Sequence, residues 1–361
     1  MKRTFKLNPC ADFQSSLFFW FKQYLRHKMV ITSYRLVYDK KAYKEHINEV
    51  LDIENMESLV MFYRKMLKNN AYNISSYYLG VKKLYEFLLP LKLARLEDID
   101  EDSLSEFLMM QDNVANATKK SYRRVILNFF RFIEKKNSDN YAFGFEINVK
   151  NIISCNVKLP RYLQLHELKA LRNAIKANKP TTSKSLNDNF IIARNNLILS
   201  LLMFGGIRTC EVAILSKDDI REVGDCYIIS VLGKCSKYRN VPIAKYQIKD
   251  ELDTYLALRD KIVPLHLSKN LFLNKSGKRI THHAIYRIVR SAFEQNNLHS
   301  KSKNGAHTLR HSYATLIYKE SNDLLLLQQL LGHSSVETTK IYTHLDESTL
   351  TNATQYLRVI C

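Results

Sequence analysis

No stretch of the chain stays apolar for the roughly 20 residues that cross a bilayer. The richest runs, Leu324 to Leu327 and Leu197 to Phe204, stop far short of that length. The amino-terminal MKRTFKLNPCADFQSS is basic but has neither the apolar core nor the small-residue cleavage site of a secretory leader. No membrane association is expected, and the cytoplasm is the expected compartment. The six cysteines, Cys10, Cys155, Cys210, Cys226, Cys235 and Cys361, include no CxxC pair, which argues against a zinc knuckle or a dense disulfide framework. Internal repeats and low-complexity tracts are missing. So are a GxxxxGK[ST] loop for a nucleotide and a cluster of carboxylates able to hold two magnesium ions. ATP-driven and two-metal chemistry are therefore unsupported, and no cofactor or metal is expected.

Acidic residues are also in short supply: 35 Asp and Glu face 55 Lys and Arg, for a formal charge of +20. The 361 residues, 46% of them hydrophobic, are enough for two globular domains, or at most three, with proper cores. Residues 1–160 carry a net +8 and residues 161–361 a net +12. Charge spread over both halves fits a protein whose two halves touch one long polyanion, DNA or RNA. Solubility alone accommodates such a surplus too.

The first half reads as helix throughout. Residues 12–28 place Phe13, Leu17, Phe18, Phe21, Tyr24 and Leu25 at helical spacing, and residues 56–68, 74–91 and 100–110 repeat the pattern. In residues 118–136, TKKSYRRVILNFFRFIEKK, the side chains of Tyr122, Val125, Ile126, Phe129, Phe130 and Ile133 form an apolar stripe, while Lys119, Lys120, Arg123 and Arg124 gather near its start. Such a helix can bury one face and offer the other to a phosphate backbone or a major groove. An ordinary amphipathic helix with a solvated basic face fits the same pattern.

Helical periodicity fails over residues 151–165, where Pro160 disfavours helix at the residue before it. This is the expected linker between a helical domain, residues 1–150, and a mixed one, residues 166–345. In the second domain, helices are expected at 166–177, 188–205, 249–261 and 281–297. Strands are expected at 226–232 and 238–243, joined by the basic turn Gly233-Lys234-Cys235-Ser236-Lys237, and a short strand and turn at LFLNKSGKRI. The fold class is thus mainly α with a small β-sheet. The helix at 281–297, with Tyr286, Arg287 and Arg290, is a second candidate for a DNA groove.

Groups suited to phosphate chemistry recur in this half: Arg208 in GGIRTCEV, Lys234 in the turn, His307 and Arg310 in GAHTLRHSYAT, His333 in LGHSS, and Tyr342 in TTKIYTH. Singly, each reads as a cap, a solvated turn or packing. The HxxR pair is stronger, because positions i and i+3 share a helix face and aim an imidazole and a guanidinium at one target. Gly305 before it would allow close approach of a ligand backbone.

Taken in order, GGIRTCEV, VLGKCSKYRNVPI, HTLRHSYATLIY and LLGHSSVETTKIYTH resemble the catalytic motifs of the tyrosine recombinase (phage integrase) family over most of residues 161–345. The basic helix at 118–136 is similar to the last helix of that family's core-binding domain. The compact size and the aromatic SLFFWFKQYLRHK segment look like the Xer branch, most like its single-recombinase XerH type. The resemblance implies Tyr342 as nucleophile, Arg208 and Arg310 as phosphate clamps, Lys234 as the hairpin lysine, His307 and His333 as the two site histidines, and Glu211 as the acid that orients the first arginine. It also implies metal-free transesterification through a 3′-phosphotyrosyl intermediate and a homotetramer on two double-stranded DNA sites. Residues 346–361 would form a terminal helix that docks in a neighbouring protomer through Leu350, Ala353, Tyr356 and Leu357. Chromosome dimer resolution at a dif-like site, regulated by an FtsK-type DNA translocase, follows from the subtype.

DNA contacts are expected from Lys119, Lys120, Arg123 and Arg124 in the first half and from Lys237, Arg239, Arg287 and Arg290 in the second. The alternatives are a mobile-element integrase or resolvase, a type IB topoisomerase, and a non-catalytic architectural DNA-binding protein. Against the last, binding alone requires no phenol beside four cationic groups.

Overall fold

The computed structural model describes residues 4–111, 113–147, 161–233, 237–263, 268–298, 305–332 and 339. The chain divides into two compact units, Met1–Val157 and Lys158–Cys361.

Among its described residues the first unit is all helical: α1 (Phe13–Ile31), α2 (Lys40–Glu49), α3 (Met56–Lys68), α4 (Ser75–Leu88), α5 (Glu101–Met109) and α6 (Asn116–Lys136). Several helices start on a side chain that satisfies an orphan N–H, as where Asp12 accepts from the Ser15 amide before α1 and Asp100 from the Ser103 amide before α5. The core is aromatic. Trp20 is fully buried, its indole N–H donates to the Leu7 carbonyl at 2.7 Å, and Phe5, Phe19 and Phe132 meet it edge-on. Helices α4 and α6 pack closely at Gly80, where a Cβ would stand 2.8 Å from Val125 Cγ1. The apolar stripe of α6 is buried as its spacing requires, at Val125, Ile126, Phe129, Phe130 and Ile133.

The second unit contains α7 (Leu165–Ala177), α8 (Leu186–Gly205), α9 (Thr209–Val212), β1 (Ile220–Val223), β2 (Cys226–Leu232), β3 (Tyr238–Ala244), α10 (Lys245–Ile262), α11 (His282–Gln295), α12 (Gly305–Ser321) and α13 (Leu324–Leu331). Helix α8 is buried on nearly every side from Phe190 to Gly205, the mark of a central core helix. The strands form an antiparallel sheet in the order β1-β2-β3, with Leu232 opposite Tyr238 at the hairpin end. There the Gly233 amide donates to the Lys237 carbonyl at 2.8 Å. Pro242 sits on the edge strand β3, where a missing N–H costs no ladder bond. Arg259, fully buried, ties down the segment after α10 by donating to the carbonyls of Val263, Ser268, Asn270 and Leu271.

Most helix and strand positions follow the sequence expectations to within about four residues. Three elements are unforeseen: α2, whose KKAYKEHINE is too polar to display a stripe; the single-turn α9; and β1, a four-residue edge strand with no buried side chain. The strand expected at LFLNKSGKRI reduces to one bridge between Leu273 and Arg279. The expected linker lies largely, and the expected terminal helix wholly, outside the described residues.

Candidate active site

The chain between α8 and α9 is shaped by glycine. Gly206 caps α8 at φ +54°, and a Cβ there would meet the Tyr313 ring at 2.4 Å, so only glycine lets the backbone turn against α12. Two residues on, Arg208 is the N-cap of α9 and Glu211 its third residue. The Arg208 amide donates to Glu211 Oε2 and its guanidinium Nη1 to Glu211 Oε1, both at 2.9 Å. Glu211 is 4% exposed. A carboxylate so buried needs compensation, and it comes from β3: Arg239 Nη1 and Nη2 donate to the two carboxylate oxygens at 2.9 and 2.8 Å. Burial alone would raise the Glu211 pKa. The hydrogen bonds and charge of Arg239, with the amide and charge of Arg208, outweigh it and hold the carboxyl below its ordinary value.

Arg310, on α12, is also buried. Its Nη1 donates to the Gly206 carbonyl and its Nη2 to the Leu331 carbonyl, each at 2.6 Å. One donor thus ties Arg310 to the turn that presents Arg208, and the other to the end of α13. At that end Gly332 takes φ +64°, and a Cβ would stand 2.7 Å from Arg239 Cδ. Arg239 Nε donates to the Leu330 carbonyl at 2.9 Å. The turn before α9, strand β3, α12 and the end of α13 therefore converge through arginine–carbonyl and arginine–carboxylate contacts.

His307, one turn before Arg310, is solvent-accessible. The protein packed about it, then the charges of Arg310 and Arg208, lower its pKa and favour the neutral imidazole. His311 is pushed down to about 4 by burial, then by His307 and Arg310.

The structure thus brings Arg208, Glu211, His307 and Arg310 together. Lys234, His333 and Tyr342 lie outside the described residues. Arg239, expected to face DNA, is turned inward with 10% of its side chain exposed, and supports Glu211 instead. Strand alternation carried that signal, because Arg239 is in phase with the buried Val241 and Ile243. Lys237 is exposed, as are Arg287 and Arg290 on α11, the last paired with Glu294 at 2.7 Å. Gly305 does not open toward a ligand: its missing Cβ would lie 3.0 Å from Val289 and 3.5 Å from Phe293, so it seats α12 against α11.

On α6, Lys120 and Arg124 are exposed, Arg123 is half-buried with its Nε donating to the Ile147 carbonyl at 2.7 Å, and Lys119 is buried. Helical spacing explains the correction at Lys119, which lies one turn from Tyr122 and two from Ile126 and so shares the apolar face. The exposed basic stripe instead continues to Arg131 and Lys135, about 22 Å from Lys120 at the rise of an α-helix. Neither residue was singled out from sequence.

Comparison with known proteins gives this arrangement its context. Residues 161–349 match the phage integrase family, and residues 9–137 match the phage integrase SAM-like domain. The chain is 35% identical to the tyrosine recombinase XerH of Campylobacter jejuni, covering 95% of both chains, and 32% identical to that of Helicobacter pylori, covering 96% of this chain and 97% of the relative. A crystal structure of XerH bound to palindromic difH substrate in a post-cleavage complex superposes with a TM-score of 0.84 at 31% identity, covering 97% of this chain and 98% of that one. The pre-cleavage complex of XerH with difH gives 0.82 at 30% identity with the same coverage. With family motifs spanning both units and relatives matched nearly end to end, the chain belongs to the phage integrase family and is a site-specific tyrosine recombinase, a DNA strand-transferring enzyme.

Proposed function

We propose that the chain cuts and rejoins duplex DNA through a covalent 3′-phosphotyrosyl intermediate on Tyr342. The observation that carries this reading is the convergence of Arg208, Arg310 and His307, with both arginine charges acting on the imidazole. An unperturbed phenol has a pKa of about 10, so attack at neutral pH requires a base, and neutral His307 is suited to take the proton. As the Tyr342 oxygen bonds to phosphorus, negative charge grows on the non-bridging oxygens. The planar guanidinium groups of Arg208 and Arg310 neutralise it, with His333 adding a hydrogen bond. The bond from phosphorus to the 5′ oxygen then breaks, and Lys234 supplies the proton that oxygen needs to leave as a hydroxyl. Attack by a 5′-hydroxyl on the phosphotyrosine reverses these transfers and religates a strand without ATP. The electrostatic work falls to arginines, so the scheme requires no metal.

The likeness to XerH proteins, including two crystal structures of XerH on difH DNA, supports chromosome dimer resolution at a dif-like site in the cytoplasm, under an FtsK-type translocase. A homotetramer on two sites fits the same reading. The catalytic unit carries a cavity of about 440 Å³ lined by Leu168, Met203, Phe204, Tyr313, Leu316 and Leu330 among others. It suits the apolar Leu350, Ala353, Tyr356 and Leu357 of a neighbour's tail. The exposed cations Lys120, Arg124, Lys237, Arg287 and Arg290 are assigned to DNA phosphates and base edges.

The test is Tyr342→Phe on a nicked suicide duplex. It retains duplex binding and forms no covalent adduct; adduct at the wild-type level removes Tyr342 as the nucleophile.

A further inference from the structure

Helices α11 and α12 meet at a polar contact that the motif reading leaves unused. Tyr286 Oη lies 3.1 Å from His307 Nε2. The ring centroids are 6.2 Å apart with planes at 47°, so the rings do not stack and the hydroxyl-to-nitrogen contact is what joins them. Ile285, Val289 and Phe293 are fully buried. They fix α11 against the core and leave Tyr286 half-buried at its edge. Gly305 completes the arrangement: with no Cβ to press on Val289, the first turn of α12 comes close enough for the phenol to reach the imidazole.

We propose that Tyr286 is a positioning residue for His307, its phenol fixing the ring's orientation and selecting the nitrogen that carries the proton. This rests on the reading of His307 as the base for Tyr342. Among the described residues, the charged and titratable groups that act on His307 include Arg208 ahead of α9, Arg310 and His311 on its own helix, and Tyr286 on α11. A neutral imidazole has one N–H and one lone pair, and it serves as a base only if the lone pair faces the incoming proton. In the proposed tautomer the proton sits on Nε2 and is donated to the phenol oxygen, which leaves the Nδ1 lone pair to serve as the base. Without the phenol the ring is free to turn and to exchange tautomers.

Tyr286→Phe keeps the ring and removes only the hydroxyl. Single-turnover adduct formation on a nicked duplex carrying the chain's own footprinted site should slow about tenfold, equivalent to about 1.4 kcal/mol, with half-site affinity within about twofold, the scale of a packing-neutral change. The acid limb of the rate profile should move to lower pH, because the phenol oxygen also accepts from the protonated ring. In a His307→Asn background the same change should cost nothing further. An equal loss in both backgrounds overturns the proposal, as does a wild-type rate with an unmoved acid limb. Adduct formed by Tyr342→Phe would instead overturn the underlying reading, so the two failures are distinguishable.

Discussion

Glu211→Gln tests whether a buried carboxylate holds the arginine cluster together. The carboxylate accepts four hydrogen bonds, all between 2.8 and 2.9 Å, two from Arg208 and two from Arg239. A glutamine keeps the shape but turns one acceptor oxygen into a donor. Two of the four contacts then become donor against donor, and two guanidinium groups lose their counter-charge at a site only 4% exposed. Breaking a buried pair by removing one partner costs roughly 3 to 5 kcal/mol, to be read as a lower urea midpoint for the catalytic unit.

Arg208 is then freed from its register, and a displacement of about 1 Å at a catalytic group costs on the order of a hundredfold in rate. Single-turnover adduct formation should fall by that factor, while half-site binding, spread over many phosphate contacts, changes little. A pH signature accompanies the loss. The Glu211 pKa is lowered from its ordinary 4.5 in the folded chain, so its stabilisation is complete above that value and is lost as pH falls through the folded value. The variant should lack this acid-side decline. A wild-type urea midpoint together with a wild-type cleavage rate would refute the argument that Glu211 organises the site.

Lys234→Ala should cut poorly when the leaving atom is the normal 5′ oxygen and regain cleavage when sulfur replaces it, since a thiolate leaves without a proton; absence of rescue in a gel assay of adduct counts against the acid role. Deleting residues 346–361 should weaken cooperative occupancy of a full site more than binding to an isolated half-site. Equal losses in gel-shift titrations would reject the docking of the tail in a neighbour.

What the sequence disclosed and what it hid divide by the range of the contacts involved. The α6 stripe and the HxxR pair are local, set by a 3.6-residue period, and both were legible. Even there the phase mattered, because Lys119 and Arg123 look basic in a linear reading but are drawn toward the protein by their place on the helix. The pairing of Arg239 with Glu211 spans 28 residues and that of Arg310 with the Gly206 carbonyl spans 104. Strand alternation marks Arg239 as inward-facing, but no period names either partner, since each pairing depends on where the sheet and α12 settle against α8. Gly206 and Gly305 showed the same limit: the sequence marks where a side chain is absent, but only the packed structure shows that Tyr313 and Val289 fill the space.

The way each arginine is held bears on what it can still do. Arg239 and Arg208 share a full negative charge at Glu211, whereas the Arg310 Nη atoms donate to the carbonyls of Gly206 and Leu331, dipoles that fix the plane of the guanidinium. Three guanidinium groups thus stand around the one carboxylate of Glu211, an arrangement that favours the arrival of an anion. After burial, the charges of Arg310 and Arg208 also help to keep His307 neutral. On the proposed reading, a phosphate entering the site offsets the arginine field and raises the proton affinity of His307 as the Tyr342 proton needs an acceptor. One set of charges would thus prepare the base before DNA binds and stabilise the pentavalent phosphorus after it does.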